Sequence, residues 1–216
     1  MKSVRRGKAY LTVRSVIDRV IASIALILLS PLIGFVALAV RIRMGSPVLF
    51  RQERVGQGGR RFAILKFRTM IVGAEAKGGG YMPPELNLVP PLGAFLRKYS
   101  LDELPQLVNI VRGDIAIVGP RPALPSQFQR YTPTQAQRVG VPQGLTGLAQ
   151  VRHRNNAPWS VRISTDLEYI EQIGPMLDLK ILVVTVGRVL RASGVRADQT
   201  VAEVDDLGPL PPKESV

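Results

Sequence analysis

The 216-residue chain contains no cysteine and a single histidine, His153. Disulfides, thiolate chemistry, thiolate-ligated zinc and multi-histidine metal sites are therefore excluded. A net charge of +13 and a pI near 10.9 call for an anionic partner, and a mean hydropathy of +0.14 beside that charge favours a membrane surface over nucleic acid.

Residues 1–19 carry Lys2, Arg5, Arg6, Lys8, Arg14 and Arg19 against one acid, Asp18. Val20 to Val40 then reads VIASIALILLSPLIGFVALAV. A cleavable leader would have a shorter apolar region and a small-residue cleavage site. At about 1.5 Å per residue, a helical run of this length just crosses a hydrocarbon core of roughly 30 Å. Ser30-Pro31 interrupts the run midway, where proline removes a backbone hydrogen bond and kinks or breaks the helix. Arg41, Arg43, Arg51, Arg54, Arg60 and Arg61 make the far flank as basic as the near one, and the positive-inside rule keeps both in the cytoplasm. A helix that bends at Ser30-Pro31 and returns to its own face meets both conditions, with the Ser30 hydroxyl available to a freed backbone group. On these grounds alone a re-entrant helix and a kinked spanning helix are equally compatible.

Within 46–70, Val48-Leu49-Phe50 and Phe62-Ala63-Ile64-Leu65 read as strands joined through the turn formers Gly56-Gln57-Gly58-Gly59. In a strand Lys66 and Arg68 share a face. They could grip a diphosphate or simply face solvent. The stretch 73–91, with Gly78-Gly79-Gly80, Pro83-Pro84 and Pro90-Pro91, reads as a mobile loop, either a lid or a connector.

Arg97-Lys98 leads into Ser100-Leu101-Asp102-Glu103-Leu104-Pro105-Gln106-Leu107. Ser100 and Glu103 have the spacing of a capping box, while the same helix start would keep Asp102 ionised for nucleophilic attack or metal binding. Leu104 to Val111 reads as a short apolar helix that Gly113 ends. Ile115 to Val118 reads as a buried strand feeding Gly119-Pro120-Arg121-Pro122, whose prolines stiffen the backbone around Arg121, a candidate phosphate-binding guanidinium. Residues 126–138 look helical and polar, 140–147 form a tight loop, and 164–173 read as a helix. Leu179 to Leu190, too short to span, suits an interfacial or core helix. The tail from about Ala197 reads as disordered. The expected organisation is a basic N-terminus with a membrane helix over 1–43, a catalytic domain over 44–192 and a disordered tail over 193–216.

In their order, these segments resemble the bacterial sugar transferase family, small monotopic phosphoglycosyl transferases acting on polyprenyl phosphate. The matching pieces are Ser30-Pro31, Phe50-Arg51-Gln52-x-Arg54-x-Gly56, Lys66-Phe67-Arg68-Thr69-Met70, Ser100 to Leu107, Gly113-Asp114, Val118-Gly119-Pro120-Arg121-Pro122 and Leu145-Thr146-Gly147-Leu148-Ala149-Gln150. They cover roughly residues 13–192. The resemblance implies an α/β (α+β) fold: a re-entrant helix–break–helix, then a compact cytoplasmic domain of short strands and interfacial amphipathic helices. It implies transfer of a sugar 1-phosphate from a UDP-sugar to undecaprenyl phosphate with release of UMP, at the cytoplasmic face of a bacterial inner membrane. Asp102 would be the nucleophile, carrying a phosphosugar intermediate, and Glu103 the ligand to Mg²⁺. Lys66, Arg68, Arg97 and Arg121 are the expected phosphate-binding cations. Membrane lipids and downstream glycosyltransferases are the other expected partners.

Some positions depart from the family pattern. Gln143-Gly144 stands where Pro-Gly is usual, and Val151-Arg152-His153-Arg154-Asn155 stands where Asn-Gly-Arg is common. Asp166 and Tyr169 are candidates for the family's acid and tyrosine in this region. The competing reading is a non-catalytic, basic, membrane-anchored binding or scaffold protein. Nucleic acid is not an expected partner, because aromatics are 6% of the chain and the basic residues cluster beside the apolar run.

Overall fold

The computed structural model describes residues 2–74, 88–153, 157–191 and 204–208. Two helices open the chain, α1 (Lys2–Leu28) and α2 (Ser30–Met44), and they meet at a bend of 64°. The cause lies in two adjacent residues. Pro31 has no N–H to donate to the carbonyl four residues back, that of Ile27, and the Ser30 hydroxyl donates to that oxygen instead at 2.8 Å. Among the described residues no single helix is long and apolar enough to cross a membrane, but this bent pair together passes that test.

Both arms are fixed to the domain behind them. A hairpin follows, β1 (Leu49–Val55) antiparallel to β2 (Arg61–Phe67), with Phe50 opposite Lys66 and Gln52 opposite Ile64. Its turn runs through Gly58 and Gly59, with φ of 66° and 81°, values that favour glycine. Helix α3 (Pro91–Lys98) leads into a 3₁₀ turn at Leu101–Glu103 and then α4 (Gln106–Arg112). Gly113, at φ 80°, ends α4 as the sequence suggests. Ala22 of α1 is sealed under Phe62 and Ile64 of β2 and Ile110 of α4. Val36 and Val40 of α2 pack with Phe67, with Leu96 of α3, and with Leu101, the first residue of the 3₁₀ turn, and Leu104, just after it.

A second small sheet pairs β3 (Ala116–Val118) in parallel with β4 (Gly144–Thr146). The fold is thus α+β, with two two-stranded sheets among the described residues. Between β3 and β4 the expected polar helix over 126–138 is broken. Thr132-Pro133 divides it into one-turn helices at Pro125–Phe128 and Pro133–Ala136, because a proline restricts the residue before it to extended backbone (Thr132 ψ 161°). Helices α5 (Leu148–His153), α6 (Trp159–Glu171) and α7 (Pro175–Leu190) complete the domain. Val118, Leu148, Tyr169 and Ile181 form their common core.

Helix α7 is amphipathic. It buries Ile181 and leaves Met176, Leu179, Val183 and Val186 exposed, as α1 leaves Val13, Val16, Val20, Ile24 and Ile27. A polar knot ties these two helices together. Asp178 of α7 accepts from Tyr10 and Arg14 of α1 at 2.6 and 2.7 Å and from Tyr169 at 2.8 Å.

Residues 204–208, inside the tail expected to be disordered, have a fixed place. Val204 is buried, Asp205 pairs with Arg130 at 2.8 Å, and Asp206 accepts from the backbone N–H of Ser160 at 3.0 Å at the start of α6. The Gly- and Pro-rich run of the 73–91 loop lies largely outside the described residues.

Candidate active site

The turn carrying Asp102 and Glu103 does not form the capping box that its spacing suggests. Ser100 sits at φ 56°, ψ 21°, in the left-handed region, and its side chain accepts no cap hydrogen bond. That conformation is uncommon for a residue with a Cβ and marks a backbone held by its surroundings. Here the surroundings are apolar: the partly buried Leu101 and Leu104 pack against the cluster under α2. The two carboxylates are left to face the opposite way, toward cations.

Glu103 meets two of them. Its Oε1 lies 2.5 Å from Lys66 Nζ and 3.5 Å from Arg121 Nη2. Burial works to raise this carboxylate, but Lys66 and Arg121 overcome it and hold Glu103 near 2. Asp102 moves the other way. It is only 8% exposed, and burial, helped by the Glu103 charge, pushes it up to about 6 against the pull of Lys66, Arg97 and Arg121. Burial also lowers Lys66, with Glu103 acting in the opposite direction.

Each cation has a definite origin. Lys66 is delivered by the penultimate residue of β2. Arg97 lies in the last turn of α3, and burial lowers it while Asp102 holds it up. Arg121 rides on a loop pinned at successive residues. Gly119 N–H donates to Thr146, Pro120 accepts from Gly144, Pro122 accepts from Arg54, and Val55 N–H donates to Ala123. Gly119 is required there, since a Cβ would collide with the Pro142 carbonyl oxygen.

Arg68 is placed elsewhere. Its guanidinium donates to the carbonyls of Met44 and of Gly45 (2.8 Å for the latter), at the C-terminal end of α2. A cation at that end of a helix satisfies orphan carbonyls and the dipole. The expectation that Lys66 and Arg68 act together on one face is therefore corrected: β2 ends at Phe67, and Arg68 turns to the helix end. Ser30 and Pro31 stay at the bend of α1 and α2, so they shape that bend and take no part in the charge cluster.

One contributor left no local signal. Arg138, in a stretch that reads only as polar, is 1% exposed and ion-paired with Asp166. It also donates to the Arg121 carbonyl at 2.9 Å and to the Tyr131 hydroxyl at 2.7 Å. Such a pair needs every partner, because breaking it strands a charge. Asp166 and Tyr169, picked from the sequence as a pair, serve separate networks: Asp166 faces Arg138, while Tyr169 bonds Asp178 and Arg14.

Among the described residues no cluster of three or more His, Cys, Asp or Glu side chains could cage a metal. Mg²⁺ does not need one, because it is usually held by one or two carboxylates plus water and substrate phosphate oxygens. Glu103, kept ionised beside the buried Asp102, fits a shared site of that kind.

The profile of the bacterial sugar transferase family matches residues 9–192. EpsL of Bacillus subtilis (strain 168), named an uncharacterized sugar transferase, is 42% identical over 167 residues, covering 77% of this chain and 82% of that protein. The UDP-glucose:undecaprenyl-phosphate glucose-1-phosphate transferase of Caulobacter vibrioides is 39% identical over 185 residues, 82% of this chain and 69% of that enzyme. The exopolysaccharide production protein ExoY of Rhizobium meliloti is 33% identical over 196 residues, 82% of this chain and 85% of the relative.

Proposed function

The chain belongs to the bacterial sugar transferase family, and from that membership and the charge cluster at Asp102 we propose that it transfers a sugar 1-phosphate from a UDP-sugar to undecaprenyl phosphate, releasing UMP. The observation that carries this reading is one buried carboxylate, Asp102, beside an ionised one, Glu103, within reach of three cations. A diphosphate substrate brings negative charge, which Lys66, Arg97 and Arg121 offset. Family kinship supports the donor and acceptor classes through the activity for which the Caulobacter relative is named.

In the first step an Asp102 oxygen attacks the β-phosphorus. The bond from that phosphorus to the bridging oxygen breaks, and UMP leaves with the bridging oxygen. The product is an acyl phosphate joining Asp102 to the sugar phosphate. In the second step a phosphate oxygen of undecaprenyl phosphate attacks the same phosphorus, and the aspartyl oxygen leaves as the free carboxylate. Arg121, on its pinned loop, steadies the phosphoryl oxygens throughout, and Arg97 keeps Asp102 ionisable. Mg²⁺, held by Glu103 and substrate phosphate oxygens, would supply further neutralisation of the transferring group.

A long-chain lipid acceptor sets a location. α2 packs directly on Leu101 and Leu104, while its far face exposes Leu32, Phe35, Leu38 and Ile42. In the proposed placement α1 and α2 form a re-entrant wedge in the cytoplasmic leaflet of a bacterial inner membrane. The exposed apolar face of α7 rests on the same surface, so the dyad meets a lipid phosphate at headgroup depth. The direct test is UMP release from a panel of UDP-sugars with undecaprenyl phosphate and Mg²⁺, for wild type and Asp102→Asn. Lipid- and Mg²⁺-dependent release, lost in the variant, supports the reading. Equal release by both proteins removes Asp102 from the nucleophile role, and no release across the panel overturns the activity.

A further inference from the structure

We propose that Asn109 is a positioning residue, whose carboxamide acts as the missing neighbour strand of β2 and so holds Lys66 against Glu103. The inference rests on the reading of Lys66 and Glu103 as parts of the transfer site. β2 pairs with β1 along one edge, and among the described residues no strand pairs with its other edge. There the backbone N–H of Leu65 donates to Asn109 Oδ1 at 3.0 Å, and Asn109 Nδ2 donates to the Ala63 carbonyl at 2.9 Å. A primary carboxamide has one acceptor and two donors, close to the groups of a peptide unit. Here it bridges two residues of a strand edge as a neighbouring strand would. The second Nδ2 hydrogen goes to Asp114 Oδ2 at 3.0 Å.

This arrangement fixes which way the amide points. Exchanging its oxygen and nitrogen would set N–H against N–H at Leu65 and oxygen against two oxygens at Ala63 and Asp114. No part of Asn109 is exposed to solvent. An aspartate would repel the Ala63 and Asp114 oxygens, and a leucine would leave both backbone groups unmet.

The consequence for the site follows from connectivity. Asn109 lies on α4, which continues from the turn that carries Glu103. Of its two contacts on β2, Leu65 is the residue immediately before Lys66. The segment from Glu103 to Asn109 therefore forms a closed circuit with Leu65 and Lys66, joined by the Asn109 bridge at one end and the 2.5 Å Lys66–Glu103 contact at the other. Opening the bridge releases the strand edge, and Lys66 loses its fixed distance from the carboxylates.

The test reads Lys66 directly, apart from catalysis. Full-length wild type, Asn109→Ala and Asn109→Ser are exposed to an amine-reactive acylating reagent at fixed pH, and labelling of each lysine is followed by peptide mass spectrometry. Asn109→Ser retains a polar group too short to bridge both backbone positions, and Glu103→Gln sets the labelling expected of an unpaired Lys66. The expected result is Lys66 labelling about tenfold faster in either Asn109 variant, a loss of ~1.4 kcal/mol of protection, with Lys98 and Lys180 unchanged. Unchanged Lys66 labelling would overturn the proposal, and so would a rise shared equally by all three lysines. In UMP release, Asn109→Ala should lower kcat about ten- to a hundredfold. In a Lys66→Ala background the same substitution should cost less than about threefold. Full additivity would overturn the coupling. If wild type released no UMP, the functional reading would fall while the labelling result still decided whether Asn109 places Lys66.

Discussion

Asp102 and Glu103 are consecutive on one 3₁₀ turn, yet Glu103 sets Oε1 2.5 Å from Lys66 while Asp102 is buried, only 8% exposed. The two carboxylates are thereby driven to opposite ends of their range, Asp102 up to about 6 and Glu103 down to about 2. Environments that separate two like groups in this way also separate their roles. One is fully ionised at every physiological pH. The other is a more basic, less solvated carboxylate, and basicity favours nucleophilic attack on phosphorus.

The pH dependence follows with a definite sign. Asp102 must be deprotonated to attack, so kcat/KM should be level above its pKa near 6 and fall about tenfold per pH unit below it. Glu103, near 2, contributes no limb in that range. A UMP-release profile from pH 4.5 to 8 checks this at subsaturating donor. A profile flat down to pH 5 would mean that the group responsible is not the buried aspartate.

The same burial has an opposite effect on stability. Asp102 titrates near 6 in the folded chain and near 3.9 when unfolded. The folded state therefore binds this proton more tightly. Its stabilising contribution is complete below about pH 4 and lost as pH rises through 6. At pH 7.5 the Asp102→Asn protein should be more stable than wild type, by about 3 kcal/mol, although inactive. Denaturant titrations in detergent at pH 7.5 and pH 4.5 would show it, with the gap closing at the lower pH. A variant less stable than wild type at pH 7.5 would contradict the desolvation argument.

What the sequence disclosed was mostly local. Ser30-Pro31 announced a bend because the missing proline N–H is a property of that residue. Gly113 announced the end of α4, and the glycines before Arg60 announced the hairpin. The gathering of Lys66 and Arg121 about the Asp102-Glu103 turn was readable through family order, since no local rule connects residues so far apart in the chain. The failures share one cause. Ser100 reads as a cap, but apolar packing of Leu101 and Leu104 forces it into the left-handed region. Arg68 reads as Lys66's neighbour on a strand, but the strand stops one residue early and helix-end carbonyls claim it. Arg138 reads only as part of a polar run, because nothing in that run reveals a partner at Asp166. Tertiary contact overrode local preference each time.

That last pair makes a stability prediction of its own. Arg138 and Asp166 are each 1% exposed, and the Arg138 guanidinium also supports the carbonyl of Arg121. Arg138→Met leaves a buried carboxylate unpaired, which should cost about 3–5 kcal/mol. Combining it with Asp166→Leu removes both charges and should recover most of that loss. Recovery of stability need not restore transfer, because the Arg121 loop still lacks its donor. Equal destabilisation in the single and double variants, by denaturant melts, would show that packing rather than stranded charge sets the cost.

The bend at Ser30-Pro31 makes topology measurable, and the absence of native cysteine makes the experiment clean. Single thiols introduced as Ser3→Cys and Val216→Cys can be probed with an impermeant maleimide in spheroplasts and in inverted vesicles. A re-entrant helix pair places both ends in the cytoplasm, so both thiols should react in inverted vesicles and neither in spheroplasts. The double substitution Ser30→Ala and Pro31→Ala restores the N–H that Ile27 lacks and removes the hydroxyl that replaces it. The two arms could then merge into one straight helix long enough to span, at the cost of the α2 contacts to Leu101 and Leu104. Labelling of the Ser3→Cys thiol from outside should appear in that variant and transfer activity should fall with it, since the turn bearing Asp102 loses its support. Outside labelling in the unaltered background would sink the re-entrant arrangement, while leaving the chemistry at Asp102 to be judged on its own evidence.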